Sequence, residues 1–177
     1  MSRSVLLLRA VNVSGRNLVP MAKLRAVLGV ESGLTGVSTY IASGNIICDS
    51  PADATAACAR VREVIEREFD VDTPVIARTH EELVASESTS PFRDGGEKSV
   101  HAMFLESVAA EGASGALEGR LLAGERIALI GRDLWIDYGD GGVGRTKLTK
   151  AVLDGALRTP GTARNLRTVR TLIELTA

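Results

Sequence analysis

Aromatic rings are scarce in this chain: one tryptophan, two tyrosines and three phenylalanines among 177 residues. A platform that stacks successive bases of a nucleic-acid strand needs several exposed rings, so composition alone disfavours RNA or DNA as a partner. Net charge is nearly absent as well. At −1 no global field draws the chain to DNA or to an acidic membrane, and attraction for an anion must be local. Lysine is rare, 4 against 17 arginines, a ratio that reports genome composition as readily as function. The two cysteines, Cys48 and Cys58, have neither the spacing nor the neighbouring histidines of a metal site, and read as thiols in a reducing compartment. The first apolar run, Val5 to Leu8, is only four residues long before Arg9 interrupts it, too short for a signal core or a membrane span. A cytoplasmic protein that needs no membrane is the expectation.

What remains is the composition of a folded domain: 45% hydrophobic, 24% charged, 18 glycines, without the low hydrophobicity and high net charge of disorder. Val5 to Val11 reads as a strand, with turn chemistry at Asn12, Ser14 and Gly15 after it. Pro20 suits a first helical turn, and Met21, Leu24 and Leu28 recur at helical spacing up to Gly29. Two short apolar runs, Val37 to Ala42 and Ile46 to Cys48, flank "SGN" as a hairpin in which Gly44 and Asn45 tolerate positive φ. Ser50 and Pro51 open a helix whose apolar face carries Ala54, Ala57, Val61, Val64, Ile65 and Phe69. "TPVIART" completes βαββαβ, the order of a ferredoxin-like unit.

The second half repeats that order more loosely. "SVHAMFL" is a strand, Ala113 to Leu122 a weak glycine-rich helix, "RIALIG" and "LWIDYG" a hairpin, "TKLTKAVLDGAL" a helix, "TPGTARN" a connection, and the last stretch a helix. The expected fold is α+β: two ferredoxin-like (βαββαβ-type) halves, the second less regular, plus a C-terminal helix. Residues 1–78 form the first half, 79–98 a linker and 99–177 the second half, although the whole could pack as one unit.

Chemistry is thinly signposted. "GDGGVGRT", Gly139 to Thr146, resembles a phosphate-binding P-loop with Arg145 in the lysine's place. The missing lysine and the short remainder of the chain argue against a nucleotidase; a flexible glycine connection, or a modest anion site of Arg145, Thr146 and Lys147, are the readings left open. "TARNLRTV" places Arg164 and Arg167 beside a helix start capped by Asn165, where the dipole already favours negative charge. Arg170 has a local partner in Glu174, four residues on, whereas Arg164 has none nearby in sequence. His80 at a helix start and His101 in a strand lie in separate elements. Asp133, Asp137 and Asp140 around the second hairpin read as solvated turn carboxylates rather than cation ligands. No serine elbow, zinc-protease pair or Cys/His arrangement is present, so no catalytic residue, metal site or cofactor is assigned.

"LLRAVNVSGRNLVPMAKL", "TYIASGN", "SPF", "GRTKLT" and "TARNLRTV", in this order over nearly the whole chain, resemble the uncharacterised bacterial family catalogued as domain of unknown function 1697. The resemblance implies an α+β fold with no established activity. It places a polar signature on Arg9, Asn12, Ser43, Gly44, Asn45, Lys147, Thr162, Arg164, Asn165 and Thr168. This chain departs from the pattern at Ala10 and Ser14, where glycine is usual, and at Leu166 with Arg167, where a Trp-Asn pair is usual. The expected ligand site is therefore Arg9, Asn12, Ser43, Asn45, Arg145, Thr146, Lys147, Arg164, Asn165 and Thr168, binding a phosphate- or carboxylate-bearing small molecule. Against it stands the plainer reading that Asn12, Ser43 and Asn45 close turns by bonding backbone. The alternative function is a protein interaction module using a ferredoxin-like sheet face or edge, with self-association left open.

Overall fold

A computed structural model describes residues 2–177. The chain divides into two compact units, Met1–Leu83 with Leu172–Ala177, and Val84–Thr171. In the first unit β1 (Arg3–Leu8), α1 (Met21–Glu31), β2 (Ser38–Tyr40), β3 (Asn45–Asp49), α2 (Ala54–Phe69) and β4 (Val75–Thr79) follow in the βαββαβ order. They form an antiparallel sheet ordered β2-β3-β1-β4. One face packs Leu6, Leu8, Ile46, Cys48 and Val75 against Leu24 and Leu28 of α1 and Val61, Val64 and Ile65 of α2. The alternate residues Val5, Leu7 and Ile47 are buried too, which is why these strands read as continuous apolar runs rather than alternating ones. The helix α3 (His80–Thr89) follows directly.

In the second unit β5 (Val100–Leu105), α4 (Ala113–Glu118), β6 (Arg126–Ile130), β7 (Asp133–Asp137), α5 (Lys150–Leu157) and β8 (Gly161–Asn165) repeat the order, with α6 (Leu166–Thr176) after them. The sheet runs β6-β7-β5-β8, the first unit's arrangement strand for strand. Met103, Leu105, Leu134 and Ile136 pack on Leu117 of α4 and on Leu153 and Leu157 of α5. Both units are thus ferredoxin-like, and the second is as complete as the first. "TPGTARN" is not merely a connection, because its last five residues pair with β5 as β8.

Local chemistry shifts several expected boundaries. The cap of α2 is Asp53, accepting from the Ala56 amide at 2.9 Å, rather than Ser50. Helix α5 begins at Lys150, after Thr149 caps it, not at Thr146. In the β2–β3 turn Gly44 has φ +81 and Ile41 φ +49, while Asn45 is an ordinary strand residue. Asp137 is not a solvated turn carboxylate: it is buried and held by Arg126 Nη2 at 2.5 Å and by the Gly139 amide at 3.0 Å. Burial alone would raise its pKa, but those two donors outweigh it and hold the carboxyl below its ordinary range. No helix among the described residues is long and apolar enough to cross a membrane.

Candidate functional site

The first four expected site residues do gather at one end of the first sheet. Beyond β1 the backbone takes left-handed φ at Ala10, Asn12, Ser14, Gly15 and Asn17, folding the loop tightly back on itself with the Asn12 amide on Asn17 O at 2.9 Å. Arg9 is fixed through its backbone: its amide donates to Thr73 Oγ1 at 3.0 Å, and that hydroxyl donates to Arg9 O at 2.7 Å. The β2–β3 turn lies alongside, tied by the Leu8 amide to Gly44 O at 2.8 Å.

Asn12 joins the two segments. Its Nδ2 donates to Val19 O at 2.9 Å and to Ala42 O at 2.8 Å, while its Oδ1 accepts from the Val19 amide at 2.8 Å. Asn45, 0% exposed, donates to Tyr40 O at 2.9 Å and to Ser43 Oγ at 3.2 Å. Both asparagines therefore serve backbone and turn closure, the satisfaction that buried polar groups require. They shape this end of the unit; the bonds of Asn12 use both of its Nδ2 donors, leaving none for an anionic ligand.

What they shape is an open cleft of about 510 Å³, within the range of small-molecule sites. Val19, Pro20 and Met21 line it at the start of α1, and Leu18, Ile41 and Ala42 line it from the two loops, beside Asn12. Its charged residue is Arg25, one turn into α1, whose Nη1 donates to Thr39 Oγ1 at 2.6 Å. Among the described residues Arg25 has no carboxylate partner. Helix α1 begins at Pro20 without a side-chain cap and with no acidic residue in its first turn, so its end of the dipole is uncompensated. Sequence reasoning passed over Arg25 because an arginine on an exposed helix face is ordinary, and only the strand carrying Thr39 sets it apart.

The remaining six residues lie in the second unit, in two groups. Arg145, Thr146 and Lys147 sit between β7 and α5, with Arg145 and Lys147 exposed. Three amides of this segment turn to internal acceptors. Gly142 donates to Gly139 O, Arg145 to Gly142 O, and Leu148 to Thr146 Oγ1 at 3.1 Å. Helix α5 starts only at Lys150, and every strand pair in both sheets is antiparallel, so the glycine-rich segment has neither the helix nor the parallel sheet of a P-loop.

Arg164 is a buried strand residue, 6% exposed, not a cation at an open helix start. Its Nη1 donates to Thr162 Oγ1 at 2.8 Å and to Ala163 O at 2.9 Å, and burial pulls its pKa down to about 10. Asn165 caps α6 by accepting from the Thr168 amide at 2.9 Å. Arg170 bonds Glu87 and Glu97, each at 3.1 Å, rather than the expected Glu174. A matching junction closes the first unit. Arg78, 2% exposed, donates to Ala77 O at 2.9 Å, and Thr79 with Glu82 forms a capping box opening α3. Arg78 lies opposite Val5 and Arg164 opposite Ala102, at equivalent registers.

Comparison with known proteins bears on the fold and the family. The chain is similar to a solved structure of the conserved bacterial protein SP0830 from Streptococcus pneumoniae, at 22% identity over 99% of each chain with a TM-score of 0.76. No curated protein matches it. The family model for "Protein of unknown function (DUF1697)" matches residues 1–135, which takes in the cleft, the β2–β3 turn and "SPF" but stops before "GRTKLT" and "TARN". By that match the chain belongs to the DUF1697 family of proteins of unknown function.

Proposed function

We propose that this protein binds a small anionic molecule in the cleft of its first unit, with Arg25 supplying the charge and Asn12 holding the walls in place. The observation that carries the reading is a guanidinium at the edge of an open cleft, anchored on Thr39 and without a carboxylate partner among the described residues. Arginine's fork suits carboxylate and phosphate oxygens, and the uncapped start of α1 adds favourable potential for an anion. The function is binding rather than chemistry: the lining holds no carboxylate, histidine or cysteine to act as base or nucleophile. Arg9, Ser43 and Asn45 support the same end of the unit. In the second unit the exposed Arg145 and Lys147 with Thr146, and the Arg164, Asn165 and Thr168 junction, are the further anion-binding candidates.

The test is isothermal calorimetry with a panel of small carboxylates and phosphates on wild type, Arg25→Gln and the Arg145→Gln/Lys147→Gln pair. Binding lost in the first variant and kept in the second supports the reading. Binding lost only in the second moves the site to the other unit.

A second reading, a protein interaction module, draws on the exposed apolar residues of the same loops, Val13, Leu18 and Ile41. Light scattering that shows self-association abolished by Leu18→Ser would favour it.

A further inference from the structure

Resting on that reading of the cleft, we infer that its ligand is a monocarboxylate carrying an apolar body, not a phosphate ester, nucleotide or dicarboxylate. The polar capacity of the cleft is small. Asn12 has both Nδ2 protons committed to Val19 and Ala42, so it has no donor to spare for an anion and forms wall instead. Arg25 spends one N–H on Thr39; of the five donors of a guanidinium, an edge stays available for a two-pronged carboxylate. One cation balances one negative charge.

The rest of the surface is hydrocarbon. Leu18 is 61% exposed and Ile41 47% exposed, and with Pro20, Met21 and Ala42 they offer a face that an apolar ligand body would take out of water. Met21 is the adaptable element, able to repack around bodies of different outline. Nothing in the lining is aromatic, so a purine or pyrimidine would find no ring to stack on. A polyanion would find a single countercharge.

The experiment is a nitrogen-15 amide titration of the full chain with four probes: 4-phenylbutyrate, its neutral amide, succinate and inorganic phosphate. The expected result is saturable movement of the amides at 18, 19, 21, 22 and 39–42 with 4-phenylbutyrate, at least tenfold tighter than with succinate or phosphate. Arg25→Gln should weaken 4-phenylbutyrate about tenfold, in keeping with loss of one charge-assisted pair. Leu18→Ser should weaken 4-phenylbutyrate and leave succinate unchanged. Both substitutions are at exposed positions, and retained dispersion of the spectrum verifies the fold. Succinate or phosphate binding the same amides as tightly as 4-phenylbutyrate overturns the ligand class while the anion site stands. The neutral amide binding as well as the acid, or no saturable shift with any anion, overturns the anion site itself.

Discussion

Removing the Asn12 side chain should unfasten the first unit's loops. Three hydrogen bonds join it to Val19 and Ala42, and a neutral bond of this kind is worth about 1 kcal/mol net. Val19 is fully buried, so its orphaned amide and carbonyl add a desolvation cost of about 1–3 kcal/mol where water cannot reach them. Asn12 also sits at φ +53, a conformation that asparagine tolerates and alanine resists by about 1–2 kcal/mol. Asn12→Ala should therefore cost about 5–8 kcal/mol, and Asn12→Gly about 1–2 kcal/mol less, because glycine lifts the backbone penalty without restoring a bond. Asn12→Asp keeps the acceptor for Val19 but turns a carboxylate toward two carbonyls, and should rank with alanine. Urea unfolding with amide exchange at Val19 as the local probe measures all three. An Asn12→Ala loss under about 1 kcal/mol would refute the tether; equal losses for alanine and glycine would refute the backbone part.

Other consequences are as direct. A Cβ at Gly44 would lie 2.7 Å from Leu8 Cβ and 2.9 Å from Val11 Cγ2 at φ +81; Gly44→Ala should cost about 3 kcal/mol or more in thermal or urea unfolding. Burial, with Asp49 adding to it, pushes the Cys48 thiol up to about 11, while Cys58 is half-buried; a disulfide reagent at neutral pH should titrate one thiol quickly and the second only on unfolding. Burial holds His101 below its ordinary 6.5, against a weaker opposing bond to Ser99 O. Between the two values the unfolded chain binds the extra proton, so unfolding free energy should fall as pH drops below about 6.5 through the lower folded value, and a His101→Asn variant should lose that slope. Ala10 and Ser14, at φ +52 and +49, occupy positions where glycine avoids a clash; Ala10→Gly and Ser14→Gly should each stabilise by about 0.5–1 kcal/mol, read as a raised urea midpoint.

Much of the fold was legible because hydrophobic spacing and turn chemistry agree. Leu24 with Leu28, the apolar stripe of α2, the "SGN" turn and the Asn165 cap all fall where local rules place them. The eighth strand was hidden because Pro160 and Gly161 advertise a turn, and because an arginine stands where an apolar residue would complete the strand's alternation. Gly161 is demanded instead by packing: a Cβ there would lie 2.7 Å from Leu105 Cδ2 and Met103 Cε. Missing that strand also misplaced Arg164, whose partners include a hydroxyl and a carbonyl within its own strand. The two sheets carry the short matches Ala77-Arg78-Thr79 and Ala163-Arg164-Asn165 at equivalent registers, too brief to notice until the sheets are aligned. At the site, the plainer reading of Asn12 as a residue that closes turns by bonding backbone holds, but its partners were not legible, since Val19 and Ala42 become its neighbours only after the loops fold. The left-handed backbone at Ala10 and Ser14 favours the glycine that the family resemblance implies at those positions.

The six residues Leu172–Ala177 group with the first unit, where Arg3 Nη1 donates to Leu175 O at 3.3 Å and His80 Nδ1 lies 3.1 Å from Thr176 Oγ1. The second unit is therefore an insertion inside the first, and no single cleavage of the polypeptide releases both in full. A fragment ending at Leu83 lacks its closing segment. During synthesis the four strands of the first sheet emerge first, but the unit goes without the closing turns of α6 until the whole inserted unit has followed.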